Sequence, residues 1–327
     1  MKLLLLYWSF MIIGYIIAAH GRERGVSFSW IQPALMICIY ILCFIMGLRM
    51  GANEQVTSNL GAIGGKALIV TVFTVAGSIG AITLTRKLLG MDKYGNIRRH
   101  HKEDVVETKT DNEGGGLELK STIIILTVVA AGMLLGALVL AGPLIRYAAV
   151  FDSLSYIVLI VLITVLLFFV GFEMGASGTV FKYIRDAGFR VLFFPFAAVI
   201  GTIVLGTASC MLMGFSAKEG AAISMGFGWY TYAPVVIAGA GQQYMIAGAV
   251  SFMHNVIRET AGIILIPILA KKIGYLESAG IPGVSAMDVC LPIVERACRP
   301  DTVVYSFAIG LLMCLVTSAG VPIVMGL

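Results

Sequence analysis

The stretch Gly226-Phe227-Gly228-Trp229-Tyr230-Thr231-Tyr232-Ala233-Pro234 decides the fold. It lies within residues 221–250, which are apolar enough for a bilayer yet broken by Gly226, Gly228, Pro234, Gly239 and Gly241, with Gln242-Gln243 in their midst. Backbone that leaves the helix at membrane depth is tolerated only where it is buried in protein or lines an aqueous cavity. A second interruption, 281–298, holds Pro282, Gly283, Asp288 and Pro292, with Arg296 and Arg299 at its end. The apolar run between them, 256–272, is continuous and ends in Lys271-Lys272.

Outward from these breaks the chain reads as lipid-embedded throughout. Of its 327 residues 59% are hydrophobic and only 13% charged, with a mean hydropathy of +0.95. Soluble domains carry about 25% charged residues, so half the usual solvating surface is missing. That composition excludes a cytosolic enzyme, a nucleic-acid binder and a disulfide scaffold. The six cysteines mostly sit inside apolar runs and read as buried, reduced thiols. The adjacent His100-His101 lies in a charged stretch and reads as solvated.

Six further spans lie at about 3–19, 31–48, 67–85, 122–140, 154–171 and 191–213, each near the 20 residues that cross a bilayer. The first reads as a retained span rather than a signal peptide, because Arg22 and Arg24 follow it at once. A final span covers 303–325. Residues 86–120 carry eight Lys/Arg and seven Asp/Glu and read as a charged cytoplasmic linker. With the N-terminus outside, 17 Lys/Arg fall on the cytoplasmic side, five outside and one, Arg258, inside the membrane. This positive-inside bias predicts eight full spans, both termini external, and two re-entrant segments from opposite faces.

The two halves before residue 213 are related. Residues 44–52, FIMGLRMGA, resemble 168–176, FFVGFEMGA, and at this offset of 124 residues 44–77 give ten identities in 34 pairs. Apolar-biased composition alone gives about three or four. Equivalent points are three spans apart, so the copies lie in the membrane with opposite orientation, an arrangement typical of transporters. The expected layout is a three-helix repeat at 1–85, the linker at 86–120, an inverted three-helix repeat at 121–213 and a transport core at 214–327. The fold class is an all-α polytopic membrane protein.

Glu259 and Asp288 are the acids placed inside apolar blocks of the final third. A carboxylate at mid-bilayer costs roughly 2.5–3.5 kcal/mol on insertion scales and must face protein or water. Two of them near a break suit an ammonium group or protons. Arg258 could balance Glu259, although adjacent helical residues point about 100° apart. Asn255 lies one turn before Glu259 on the same face. Trp229 and Tyr230 could form cation–π contacts with a substrate or belong to an interfacial belt. Ser285 and the freed backbone at Gly226–Gly228 could take a carboxylate.

The order GFGWY (226–230), Asn255-Val256-Ile257-Arg258-Glu259 running to Ile266-Pro267, and Ser285-Ala286-Met287-Asp288 with Leu291-Pro292 resembles the LysO-type lysine exporter family. The resemblance is specific over about 75 residues of the C-terminal third and one of layout elsewhere. It implies a bacterial inner-membrane exporter of L-lysine and its toxic analogue thialysine, with both termini periplasmic and with Glu259 and Asp288 needed for transport. Two departures stand out: His254-Asn255 replaces an expected Asn-Asp pair, and the linker is longer than usual.

These residues predict a secondary transporter exchanging lysine for protons, with no cofactor and the lipid bilayer as its surroundings. No Walker A element is present, which argues against ATP drive. A carrier of another metabolite, a channel and an intramembrane enzyme are the alternatives, and no nucleophile elbow or HExxH element favours the last. A homo-oligomer is left open.

Overall fold

The computed structural model describes residues 2–24, 30–95, 113–140, 148–177, 189–299 and 302–327, and these are helical almost throughout. The N-terminal part supplies α1 (Lys2–Glu23), α2 (Ile31–Ala52), α3 (Glu54–Thr57), α4 (Leu60–Leu88), α5 (Glu113–Leu135), α6 (Ala148–Ser177) and α7 (Phe193–Leu212). A π-helical turn, Gly136–Leu140, extends α5. The C-terminal part supplies α8 (Ala217–Ser224), α9 (Ala233–Gly239), α10 (Met245–Ile273), α11 (Tyr275–Ala279), α12 (Leu291–Ala297) and α13 (Thr302–Met325). Among the described residues, eight helices reach 20 residues, about 30 Å of rise.

Five of them carry windows long and apolar enough to cross a membrane: Pro33–Ala52, Leu60–Leu88, Ser153–Ala176, Phe193–Leu212 and Thr302–Met325. α10 is as long as α4, but His254, Asn255, Arg258 and Glu259 lower the hydropathy of its middle. Large apolar side chains such as Leu68, Leu84, Ile200 and Ile268 are exposed, which suits contact with acyl chains rather than water. The chain is an all-α multi-pass membrane protein.

Some boundaries differ from those read in sequence. α10 begins at Met245, within the segment read as broken to residue 250, because Met245–Val250 are apolar and their one glycine, Gly248, stays helical and packs against Ala238 of α9. α5 begins at Glu113 and takes Gly114–Gly116 into a helix. His100-His101 and the middle of the linker lie outside the described residues.

Small residues set the packing. A Cβ on Gly77 of α4 would fall on the carbonyl oxygen of Gly201 of α7, and a Cβ on Gly201 would fall on that of Gly77. These are equivalent positions of the repeat, so α4 and α7 meet at a point of internal symmetry. The same holds one layer out. Gly47 and Gly51 of α2 seat the backbone of α5, while their equivalents Gly171 and Gly175 of α6 seat that of α1. In lipid there is no hydrophobic drive between helices, and close backbone approach at small residues takes its place. The contacts run parallel in α1–α6 (Met11 with Gly171, Tyr15 with Gly175) and antiparallel in α4–α7 (Thr74 with Gly206, Ala81 with Gly201). Alternating crossings require that pattern.

The last third forms two hairpins around α10. Ser216 opens α8 with a capping box shared with Glu219. The chain breaks after Ser224, resumes as α9 with Pro234 in its first turn, and turns back through residues 242–244. There Lys218 Nζ donates to the Tyr244 hydroxyl at 3.1 Å, so the segment returns to the end from which it set out. The second hairpin comprises α11, a short 3-10 turn at Gly283–Met287 and α12. It starts at the other end of α10, where the Tyr275 amide donates to the Lys93 carbonyl and Glu277 pairs with Arg86 at 2.6 Å.

Candidate functional site

The tips of the hairpins cross beside the middle of α10. Phe227 has φ +46°, Gly228 +92° and Gly283 +77°, backbone that favours glycine and that bends each tip sharply. The Val284 amide donates to the Phe227 carbonyl at 2.8 Å. A Cβ on Gly283 would strike that same carbonyl, and one on Gly228 would strike the Pro282 carbonyl. The breaks that mark the two segments in sequence therefore meet each other.

α10 supports the crossing with two side chains, Asn255 and Arg258. Asn255 Oδ1 accepts from the Gly228 amide at 2.7 Å, and its Nδ2 donates to Ser251 Oγ at 3.1 Å. It thus gives a buried partner to backbone that helix breakage left open. Arg258 is fully buried and reaches the second hairpin: Nε donates to the Ile281 carbonyl at 3.0 Å, while Nη2 reaches the Gly280 carbonyl and Thr202 Oγ1, each at 3.4 Å. Its charge lies at the C-terminal end of α11, where the carbonyls point. Among the described residues no ion pair joins it to Glu259. The 100° step between neighbours turns the two side chains apart.

Glu259 faces the tips. The Ser285 hydroxyl of the second hairpin donates to its Oε2, and Tyr230 of the first lies close by. The carboxylate is thereby held by the second hairpin where the two tips meet. Asp288 is solvent-exposed although it lies deep among packed elements, and its Oδ1 accepts from the Val289 amide at 2.6 Å. It lies in the same region as Tyr230 and Glu173. Trp229 stacks on Tyr232 with ring centroids 4.8 Å apart, and Tyr230 sets its ring edge to face against Phe252.

The residues singled out in sequence therefore divide. Ser285 hydrogen-bonds Glu259, and Tyr230 and Asp288 lie in the same region. Asn255 and Arg258 engage the hairpin backbone instead. Glu173, outside the final third, is not among the residues singled out in sequence. Its signal was available, as it is the acid of the repeated FFVGFEMGA motif, where the first copy has Arg49. Gly171 and Gly175 face α1, so Glu173, two residues from each, lies on the opposite face of α6.

Comparison with known proteins places this architecture. The chain is 23% identical over 308 residues to the Escherichia coli (strain K12) protein named "Lysine exporter LysO", covering 93% of each. It is 31% identical over 143 residues to a relative from Haemophilus influenzae, 42% of this chain and 69% of that one. No solved structure matches. The family model described as "Lysine exporter LysO" matches residues 125–326, which include both hairpins, α10 and Glu173. The chain belongs to the LysO lysine exporter family.

Proposed function

We propose that the protein exports L-lysine from the cytoplasm across a bacterial inner membrane in exchange for protons. The observation that carries this reading is the Ser285 hydroxyl donating to Glu259 where the hairpins meet, with Tyr230 close by and exposed Asp288 in the same region. An ammonium group entering here meets two carboxylates and the faces of Tyr230 and Trp229. The Ser285 hydroxyl already donates to Glu259, so its proton is not available to a substrate carboxylate.

In this mechanism Glu259 and Asp288 alternate between pairing with lysine and holding a proton. Protonation from the acidic outer side removes the charge that binds the ammonium, and lysine leaves. Thialysine differs only by sulfur in the side chain and follows the same route. The repeats at 1–85 and 121–213 frame the transport core at 214–327, with both termini external, in keeping with the Lys/Arg distribution. The hairpins then re-enter from opposite faces of the bilayer, and their irregular backbone lies where protein covers it. Family membership favours transport over catalysis.

Efflux from lysine-loaded cells tests this reading, with the outer pH stepped from 8 to 6. Coupling to protons predicts faster lysine loss at the lower pH and abolition of the difference by an uncoupler. Equal efflux at both values with the membrane potential clamped would contradict proton exchange.

A further inference from the structure

Residues 89–95, which follow α4, form a strap across the end of α10. Its root is fixed: Arg86 Nη1 donates to the Met91 carbonyl at 3.1 Å, and Met91 is buried. Further on, the Lys93 carbonyl accepts from the Tyr275 amide at 2.9 Å, and Lys93 Nζ donates to the Lys271 carbonyl at 3.3 Å. The strap therefore brings the Lys93 ammonium to the last turn of α10, which itself carries exposed Lys271 and Lys272. Two acids of the neighbourhood are engaged: Glu277 by Arg86, and Asp92 Oδ1 by the Tyr94 amide at 2.9 Å. Among the described residues no carboxylate forms an ion pair with Lys93, Lys271 or Lys272. Three like charges kept this close repel one another unless an anion stands between them.

Before these lysines α10 is apolar and open on the same side. Ile264 and Ile268 are 48% and 54% exposed. Ile268 lies three and four residues before Lys271 and Lys272, so stripe and charges share one face of the helix. Tyr94 and Tyr275 are partly buried and packed edge to face at 5.2 Å beside the strap, as suits amphipathic rings at a membrane surface. We propose that Lys93, Lys271 and Lys272 bind the phosphate of an anionic phospholipid whose acyl chains lie along Ile264 and Ile268. The phosphate offers acceptors where the ammoniums offer donors only, and the apolar stripe favours a lipid over a free phosphate. The bound headgroup holds the strap on α10 and, through the Tyr275 amide, the start of the second hairpin. The site lies about three turns beyond Glu259 on α10, and its test does not depend on lysine being the substrate.

Thermal unfolding of the purified full-length protein in a neutral detergent, with phosphatidylglycerol or phosphatidylcholine added at constant ionic strength, tests the proposal. Wild type is expected to gain stability with rising phosphatidylglycerol until the site saturates, and little with phosphatidylcholine. Lys93→Gln, Lys271→Gln and Lys272→Gln are each expected to raise the half-saturating concentration about fivefold, and the triple variant roughly a hundredfold. Lys66→Gln with Lys218→Gln, at the opposite ends of α4 and α10, is the control and should keep wild-type half-saturation. Equal stabilisation by phosphatidylcholine, a triple variant with wild-type half-saturation, or an equal loss in the control would each overturn the proposal. So would saturation by glycerol phosphate at a comparable concentration, which would mark a site for a free anion.

Discussion

The Val284 amide donates to the Phe227 carbonyl at 2.8 Å, joining the tips of two hairpins that start from opposite ends of α10. This main-chain contact holds the first hairpin's tip against the second, which carries Ser285 to Glu259. It exists only because Gly283 presents no side chain to the Phe227 carbonyl.

Gly283→Ala is therefore expected to part the tips. The φ of +77° alone costs an L-residue about 1–2 kcal/mol, and the collision adds to that. Gly64→Ala is the control, since nothing lies within 4 Å of a Cβ there and α4 is helical. It should be neutral or stabilising by up to about 1 kcal/mol. Melting temperatures of the purified proteins check both, and a stable Gly283→Ala protein would contradict the crossing.

Asn255→Ala removes the acceptor for the buried Gly228 amide and should cost about 1–3 kcal/mol. Asn255→Asp keeps an oxygen toward Gly228 and should retain more of the stability. Comparing the two by thermal unfolding separates loss of the hydrogen bond from loss of packing.

Arg258 and Glu259 are adjacent but should fail differently. Arg258→Lys keeps a charge but loses the fork that reaches the Ile281 and Gly280 carbonyls. It should lower stability by about 1–3 kcal/mol. Glu259→Gln keeps shape and can still accept from Ser285, so it should fold and melt near wild type while losing transport. A melting curve and an efflux assay on the same two preparations decide this.

Gly77→Ala and Gly201→Ala should each push α4 from α7 and destabilise. Because each Cβ would strike the other glycine's carbonyl, the two changes share one displacement. Together they should cost less than the sum, with a coupling of about 0.5–3 kcal/mol. Strict additivity in a double-mutant cycle would show that the glycines do not share a contact.

Much of this architecture was legible because it is written in composition. Long apolar runs mark each of the eight long helices, and Gly226, Gly228, Pro282 and Gly283 mark where the hairpins bend. The FIMGLRMGA and FFVGFEMGA copies foretell the packing as well, since their glycines seat α5 and α1. The partners of the polar residues were not legible. Arg258 and Glu259 stand side by side in sequence, and only the turn of α10 sends one to the Ile281 carbonyl and the other to Ser285. The repeated motif singles out Glu173 as an acid in an apolar run, but its proximity to Asp288, 115 residues further along the chain, is not legible there. Contacts of that separation leave no periodicity to read. The start of α10 at Met245 was hidden by Gln242-Gln243, polar residues that belong to the turn just before it.

The central claim is that Glu259 and Asp288 bind and release lysine. The most direct measurement is counterflow of labelled lysine in proteoliposomes made with wild type, Glu259→Gln and Asp288→Asn, each shown to be folded. We expect wild type to accumulate label against internal lysine and both variants to stay at the level of protein-free vesicles. Full counterflow by either variant would contradict the assignment of its carboxylate, and no counterflow by wild type would contradict lysine as the substrate.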